Sequence, residues 1–411
     1  MGVVFHCLAV VLFVNRYVAG LILRALRGKR WDEVDVSYEP AVTIIVPMFN
    51  EGTAIVETLE SLIAVNYPRK KLEIICVDDH SADDSLVNAE RVAAWSHGLL
   101  RVVRNAHNLG KRMSILNATR EATGEVVVTV DSDVVVEPDA ITQLVRRFTD
   151  ERIAAVGSWV DVRNKNEGWL ARMQVVKYWY SYFLIKNLEW GFRRIMCLSG
   201  CMTAYRKRAL LAIEPVLEHR TLLSLPINYG EDRFLTRQLI KAGYLTTMTL
   251  EARCRTTVPV KLSNYFSQQL RWRRSSLIDF GGGLGHVWRL NPILAIHFST
   301  IFVLLVIYPV SIIKAVLAGK LLPALVMHIA IMAVFGVYYR WRVRALPPEQ
   351  RVGAFAILPL ALLMPISYAL QTPLALFTLD SGSWETRNHQ PAPTSGKSKA
   401  DRAEDRSVAS G

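Results

Sequence analysis

Two aspartates, Asp131 and Asp133, lie one residue apart directly after a run of apolar and β-branched residues. Five of the six residues at 125–130 are valine or threonine, which is typical of a buried parallel strand. Such a strand has no packing use for carboxylates at its end. Two carboxylates at the carboxyl edge of an α/β sheet can, however, hold a hard divalent cation against phosphate oxygens. The alternative is an ordinary strand-end turn in which aspartate is the turn former.

Acidic and polar residues also follow two other predicted strands. Asn50-Glu51 and Asp78-Asp79 stand where the first two strands end. The patterns predict strands at 42–49, 72–79, 99–103 and 125–133, and helices at 53–65, 111–121 and 138–148. This alternation predicts a Rossmann-like α/β fold with an open, mostly parallel sheet and helices on both faces. Neither a Gly-x-Gly-x-x-Gly segment after the first strand nor a P-loop lysine motif is present, so neither of those nucleotide sites is indicated.

The second half of the chain carries two further candidate groups. Glu231 and Asp232 follow Gly230 and open a helical run that ends near Gly243. They could act chemically, or they could simply be first-turn carboxylates favoured by the helix dipole. Further on, a glutamine, an arginine and a tryptophan fall on one helical face, where an arginine can fork onto a diphosphate. The alternative is an interfacial helix with its arginine and tryptophan at headgroup level. These residues are Gln268, Arg271 and Trp272.

Composition places this chain at a membrane. It has 411 residues, of which 51% are hydrophobic, and its mean hydropathy is +0.21. The apolar residues concentrate at 2–23 and 292–379, which leaves a middle of ordinary composition. The net charge of +13 does not indicate nucleic acid, because the basic residues cluster beside the apolar segments as the positive-inside rule expects. Five scattered cysteines argue against a disulfide framework. A zinc site at Cys197 and Cys201 is not indicated, because the nearby sequence has no second Cys/His pair.

The predicted organisation follows from these shifts in composition. It comprises a membrane anchor at 1–30, a cytosolic α/β domain at 31–260, an interfacial amphipathic helix region at 261–290, a transmembrane or re-entrant region at 291–380, a short segment at 381–389 and a disordered tail at 390–411. Residues 292–318 and 321–339 are long enough to span. We expect the block at 352–379 to be re-entrant or interfacial, because it is too short for two crossings and its three prolines should interrupt the helix.

Five motifs in this order resemble those of the processive, membrane-embedded, inverting glycosyltransferases of family 2. The motifs are Val46-Pro47-Met48-Phe49-Asn50-Glu51, Asp78-Asp79, Asp131-Ser132-Asp133, Gly230-Glu231-Asp232-Arg233 and Gln268-Gln269-Leu270-Arg271-Trp272. The chain is most similar to hyaluronan synthases and to chitin and nodulation-factor chitin-oligosaccharide synthases, over residues 42 to about 388. The resemblance implies a GT-A-like domain that uses UDP-sugar donors, extends a growing polysaccharide and sits in the lipid bilayer of the cell membrane.

The resemblance also implies a role for each matching residue. Asp232 would be the general base that deprotonates the acceptor hydroxyl. Asp78 or Asp79 would bind the uridine and Lys111 would lie near the base. Asp131 and Asp133 would reach the nucleotide and a Mg²⁺ or Mn²⁺ ion on its diphosphate. Ser199 and Gly200 would lie near the acceptor's terminal sugar, with Gln268, Arg271 and Trp272 closing that site and the diphosphate. Trp384, Thr386 and Arg387 would form a gating segment.

Three departures from the family pattern affect the product more than the reaction. Phe49 replaces a tyrosine, Glu231 stands where hyaluronan synthases usually have aspartate, and Cys201 begins a change after Ser199-Gly200 that bears on acceptor recognition. The expected function is hyaluronan synthase-like polymerisation with export. There are two alternatives within the enzymes: a chitin-type enzyme that uses only N-acetylglucosamine, and a non-processive lipid-linked glycosyltransferase. The non-enzymatic alternative is a catalytically inactive membrane scaffold.

Overall fold

A mixed eight-stranded sheet forms the centre of the α/β domain in the computed structural model. The structure describes residue 15 and residues 18–27, 33–222, 225–227 and 229–379. The sheet order is β3-β2-β1-β4-β7-β6-β10-β5. The strands are β1 (Val42–Met48), β2 (Leu72–Asp78), β3 (Leu100–Arg104), β4 (Val126–Val130), β5 (Val134–Val136), β6 (Ile153–Val162), β7 (Met202–Arg206) and β10 (Leu245–Thr256), while β8 (Thr221–Leu222) and β9 (Leu225–Pro226) form a separate small hairpin.

The predicted α/β fold is confirmed, and the sheet divides into two halves. Strands β3, β2, β1 and β4 all pair in parallel. Beyond β4 the pairing is mixed, because β7 runs antiparallel to both β4 and β6 while β10 is parallel to β6. Every residue of β1 and β4 is buried, which explains why these strands are apolar throughout and do not alternate.

Helices cover the sheet between its strands. In the first part of the chain they are α1 (Ala19–Arg27), α2 (Ala54–Ile63), α3 (Ser85–Trp95), α4 (Lys111–Glu121), α5 (Ala140–Val145), α6 (Trp169–Tyr180), α7 (Lys186–Gly191), α8 (Lys207–Ala212), α9 (Glu214–Glu218) and α10 (Glu231–Lys241). The predicted helix at 111–121 has the bounds that its sequence pattern indicated. The predicted strand at 125–133 ends early, since Asp131, Ser132 and Asp133 lie in the turn between β4 and β5.

The remaining helices follow the α/β domain. They are α11 (Leu262–Leu290), α12 (Pro292–Phe302), α13 (Tyr308–Leu317), α14 (Leu321–Arg342) and α15 (Leu360–Phe377), with a short turn at Ala354–Ile357 before α15. Three stretches of the described chain are long and apolar enough to cross a membrane: Pro292–Leu317, Leu321–Arg342 and Ala354–Phe377.

The prediction that three prolines interrupt the block at 352–379 holds for Pro359, which lies in the turn just before α15, and is wrong for the other two. Pro365 and Pro373 both lie inside the continuous helix α15. A proline inside a helix removes one backbone hydrogen bond, and neighbouring side chains can restore polar contacts there. Polar side chains do lie inside α15, where the Ser367 hydroxyl donates to Gln371 Oε1 at 2.6 Å.

Buried polar contacts hold α15 against α11. Arg273 of α11 donates from Nη1 to Thr372 Oγ1 at 2.9 Å and from Nη2 to Ser367 Oγ at 3.1 Å. Gln371 Nε2 donates to the Phe266 carbonyl at 2.7 Å. The apolar helix near the end of the described chain is therefore attached to the helix that carries Gln268, Arg271 and Trp272.

Candidate active site

Lys111, at the first position of α4, joins two of the predicted acidic motifs. Its Nζ lies 2.6 Å from Asp131 Oδ1 and 2.5 Å from Glu231 Oε1. The lysine side chain is 10% exposed, against 25% for Asp131 and 13% for Glu231. One buried cation thus connects the turn after β4 to the first turn of α10, although these carboxylates are far apart in sequence.

Burial and this ion triad set the pKa values of its members. Burial alone would lower the pKa of Lys111, but the attraction of Asp131 and Glu231 outweighs it and raises that pKa well above its ordinary value. For Glu231 the lysine outweighs burial and lowers the pKa. For Asp131 burial wins, and the pKa is raised in spite of Lys111.

Asp232 occupies the first turn of α10 beside this triad. Burial and then the neighbouring Glu231 carboxylate raise its pKa, which suits a proton acceptor that works near neutral pH. Its Oδ1 accepts from the Arg233 backbone N–H at 2.8 Å, and Cys197 Sγ lies 3.9 Å from Oδ2. The preceding Gly230 has φ +67°, and a Cβ there would lie 2.0 Å from Ser275 Oγ of α11. Glycine is therefore required where α10 begins.

The loop that contains Ser199 and Gly200 reaches the same place. Asp131 donates its backbone N–H to the Cys201 carbonyl at 3.1 Å, and a Cβ built on Gly200 would be 3.1 Å from Lys111 Nζ. Ser199 is held by Thr203, whose Oγ1 donates to the Ser199 carbonyl at 2.7 Å. The structure thus brings the predicted acceptor loop against the predicted donor carboxylate.

Known proteins similar to this chain fit that arrangement. Residues 43–213 match the glycosyl transferase family 2 domain. An N-acetylglucosaminyltransferase of Rhizobium meliloti (strain 1021) is 30% identical over 364 residues, which cover 87% of this chain and 84% of that protein. The chain belongs to glycosyl transferase family 2.

Other relatives of this glycosyltransferase match it over a shorter part. N-acetylglucosaminyltransferases of Bradyrhizobium diazoefficiens and Azorhizobium caulinodans are each 34% identical, over 62% and 58% of this chain. The chain spans 51% and 60% of the length of these two relatives. Among solved structures, a mannosyltransferase from Pyrobaculum calidifontis in complex with GDP-Man and Mn²⁺ has a TM-score of 0.55 at 22% identity, covering 88% of this chain and 98% of that one. That likeness confirms the GT-A-like fold.

In this glycosyltransferase Asp78 and Asp79 are both fully buried at the end of β2. Asp79 accepts from Asn105 Nδ2 at 2.7 Å and from the backbone N–H groups of Leu109 and Gly110 at 2.8 Å each. It therefore shapes the loop that leads into Lys111. Asp78 lies 3.3 Å from Arg104 Nε. Their contact with a uridine stays a prediction.

Helix α11 carries Gln268, Arg271 and Trp272. Arg271 is close enough to Glu231 to help lower the pKa of that carboxyl, whereas the described side-chain contacts of Gln268 and Trp272 are with Gln269 and Lys177 and not with the triad. Trp272 is 36% exposed, which leaves its ring available to a ligand. The predicted gating residues Trp384, Thr386 and Arg387 lie outside the described residues.

Lys177 of α6 is a site residue that the sequence did not reveal. Its Nζ donates to Gln269 Oε1 at 2.7 Å and lies 5.5 Å from the centre of the Trp272 ring. Burial and then the nearby Arg273 lower its pKa to about 7. No motif marks this lysine, because its proximity to Trp272 arises only when α6 packs on α11.

The carboxylates suit a divalent cation only together with a substrate. Among the described residues no three His, Cys, Asp or Glu side chains gather where they could hold a metal ion. Mg²⁺ is, however, commonly bound by one or two carboxylates plus substrate phosphates. Asp131 and Asp133 in the turn after β4 match that donor set. Thr256 Oγ1 lies 3.4 Å from Asp133 Oδ2 and helps to orient it.

Proposed function

We propose that this protein transfers N-acetylglucosamine from UDP-N-acetylglucosamine to a sugar hydroxyl with inversion, and so builds a chitin-type β-linked chain. The acceptor oxygen forms a bond to the anomeric carbon as the bond from that carbon to the diphosphate breaks. The acceptor proton passes to Asp232 and UDP leaves. The observation that carries the proposal is the position of Asp232 beside the Lys111 triad, with its pKa raised.

The leaving diphosphate requires positive charge. Arg271 can form a two-pronged contact with phosphate oxygens, and its pull on Glu231 supports a position near the reaction centre. A Mg²⁺ or Mn²⁺ ion held by Asp133 and Asp131 would neutralise charge on the diphosphate when bound. Lys111 already neutralises Asp131 and Glu231. Without that cation the acidic residues would repel the donor.

The names of the relatives favour one donor sugar. The three relatives from Bradyrhizobium, Azorhizobium and Rhizobium described above are N-acetylglucosaminyltransferases, whereas a hyaluronan-type product would require two donors. They therefore support the chitin-type alternative over the hyaluronan synthase-like expectation. The decisive experiment incubates the purified protein with UDP-N-acetylglucosamine and UDP-glucuronic acid, singly and together. Product formed only with both donors would refute the proposal.

The acceptor is proposed to lie against Trp272 and Lys177. An aromatic face packs well against a sugar ring, and the Lys177 ammonium near the Trp272 ring can donate to sugar oxygens. Lys177→Met should raise the Michaelis constant for a soluble oligosaccharide acceptor and leave that for the UDP-sugar unchanged. Equal effects on both constants would show that Lys177 acts on the fold and not on the acceptor.

Processive growth and a membrane location are part of the same proposal. Three stretches have the length and composition of spans, and we propose that the first two cross the cell membrane, with the catalytic domain in the cytoplasm. Support for a re-entrant or interfacial segment 354–377 comes from its two ends. At its start Gly336 of α14 approaches so closely that a Cβ would meet the Ala354 carbonyl at 2.0 Å. At its end the Leu379 carbonyl accepts from Tyr229 Oη at 2.6 Å, one residue before the glycine that opens α10.

Cysteine labelling in sealed cells tests this topology. If the segment 354–377 crossed the bilayer once, its two ends would lie on opposite sides, and Ser383→Cys would react with an impermeant reagent added outside. We expect no such reaction. Lys320→Cys, between the two proposed spans, is the matched control and should react from outside. External labelling of Ser383→Cys would end both the re-entrant topology and the gating assignment.

A further inference from the structure

A groove lies at the basic end of α14, and none of its lining residues belongs to the candidate active site. Its lining residues are Val337, Arg340, Trp341, Arg344 and Ala354, and its volume is about 390 Å³. We call it the α14 groove. Four of these residues come from the last turns of α14 and the loop after it, and Ala354 comes from the turn that precedes α15.

The charge in the α14 groove is not neutralised by the described part of the chain. Within that part, no carboxylate forms an ion pair with Arg340, Arg342 or Arg344. Arg340 Nη1 is buried and has no hydrogen-bond partner among the described residues. The guanidinium groups of Arg342 and Arg344 each lie 5.7 Å from the centre of the Trp341 ring. A buried donor without a partner is destabilising, because its lost hydration is not replaced.

The positive-inside rule explains why arginines stand at this end of a span. It does not explain an arginine nitrogen that is buried and without a partner. A phosphate oxygen would satisfy that nitrogen once the Arg340 side chain turns toward the groove that it lines, and the planar fork of arginine matches phosphate geometry. We propose that the α14 groove binds the phosphate of an anionic glycerophospholipid headgroup.

The position of the groove identifies the source of the phosphate. Helix α14 exposes apolar side chains along its length, including Val326, Val334 and Val337, and its composition suits a membrane span. Trp341 stands where tryptophans mark the membrane interface. A lipid can therefore place its acyl chains along α14 with its phosphate at Arg340 and Arg344. A soluble anion would contact only the arginines.

A headgroup in this groove would stabilise the contact between α14 and the catalytic domain. Arg342 packs on the Phe183 ring at 4.7 Å, and Tyr180 Oη donates to the Phe335 carbonyl at 2.5 Å. Tyr339 packs edge-on against Trp179 of α6 at 5.4 Å. Bound lipid would thus fix the arginines beside α6. This inference does not depend on the donor sugar or on the transfer reaction.

Lipid retention on the full chain is the direct test. The protein is reconstituted into nanodiscs of phosphatidylcholine mixed with phosphatidylglycerol, extracted, and examined by native mass spectrometry for bound lipid. The wild type should retain phosphatidylglycerol in preference. The double variant Arg340→Gln/Arg344→Gln should lose about tenfold or more in that preference, the scale of one charged hydrogen bond. Lys320→Gln removes one cation from the other end of the helix and should retain the wild-type preference.

Two further arms separate the possible outcomes. Arg340→Lys keeps the charge and should still weaken the retention of phosphatidylglycerol, because lysine lacks the planar fork. The melting temperatures of the variants in phosphatidylcholine alone show whether they are folded. Inorganic phosphate in excess should not displace the lipid. Displacement of the lipid by inorganic phosphate would refute the proposal that the bound phosphate belongs to a lipid. Unchanged retention in the double variant would refute the α14 groove as the binding site.

Discussion

Removal of the Lys111 ammonium should destabilise the catalytic domain far more than removal of an ordinary lysine. We take Lys111→Met, which keeps the length of the side chain and deletes its charge. The change leaves Asp131 and Glu231 facing each other, at 25% and 13% exposure, without the cation that lies 2.6 and 2.5 Å from them. Breaking a buried ion pair by deletion of one partner costs about 3–5 kcal/mol, because the remaining charge stays buried.

That cost is large on the scale of domain stability. Domains unfold with about 5–15 kcal/mol, and each kcal/mol shifts the melting temperature by about 2–4 °C in a domain of this size. We therefore expect the melting temperature to fall by roughly 6–20 °C. The loss should depend on pH. Lys111 lowers the pKa of Glu231 in the folded protein. The stabilisation from this ion pair is therefore present above the ordinary glutamate pKa, and it is lost as the pH falls through the lowered pKa of Glu231. The deficit of the variant should accordingly shrink in acid.

Lys71→Met is the matched control. Its Nζ lies 3.2 Å from Glu39 Oε2, with the two side chains 46% and 50% exposed, and exposed pairs contribute at most about 1 kcal/mol. Thermal unfolding of both variants is followed by tryptophan fluorescence in the same detergent at neutral and acidic pH. The reasoning fails if Lys111→Met melts within about 2 °C of Lys71→Met at neutral pH.

Four further predictions concern the reaction. Asp232→Asn should reduce transfer by about 10²–10⁴-fold with UDP binding nearly intact; more than about a tenth of wild-type activity would exclude the base role. Asp133→Ala should lose metal-dependent UDP binding by calorimetry while Asp139→Ala, in the helix cap beyond the turn, keeps it; equal affinities would remove the metal assignment. Arg271→Lys should raise the Michaelis constant for UDP-sugar and shorten the product, because lysine cannot form the two-pronged contact; wild-type values in both would leave α11 merely interfacial. Glu231→Gln should move the acid limb of the pH–rate profile to lower pH, because Glu231 raises the pKa of Asp232; an unmoved or raised limb would contradict that coupling.

The sequence predicted the first half of the domain well because its strands are apolar and its helices periodic. The parallel order of β1 to β4 follows from that alternation. The second half was less accessible, because β7 inserts antiparallel between β4 and β6 and no local pattern encodes such pairing. The continuous helix α15 also escaped prediction, since the polar contacts of Arg273 that support it come from a distant segment.

The candidate site was predictable as motifs but not as a network. Acidic strand ends and the helix start at Asp232 were visible as residue types at expected positions. The ion triad was not, because its members belong to three separate elements and only tertiary packing brings Lys111 between them. Lys177 escaped for the same reason. The roles assigned by resemblance to the uridine-binding and gating residues stay predictions.

Helix α11 links α15, which lies in one of the three candidate membrane spans, to the proposed base. On one side Arg273 bonds to α15. On the other, Asp279 Oδ1 lies 3.1 Å from Arg237 Nε of α10, with both side chains nearly buried. Because a buried pair is costly to break, α10 and α11 should move together, and the distance from Trp272 to Asp232 should stay constant when the membrane helices shift. Because Arg273 also holds α15 to α11, a movement of α15 should carry α11 and α10 with it as one unit. Under the proposed function, such a joint movement would keep the geometry of transfer intact.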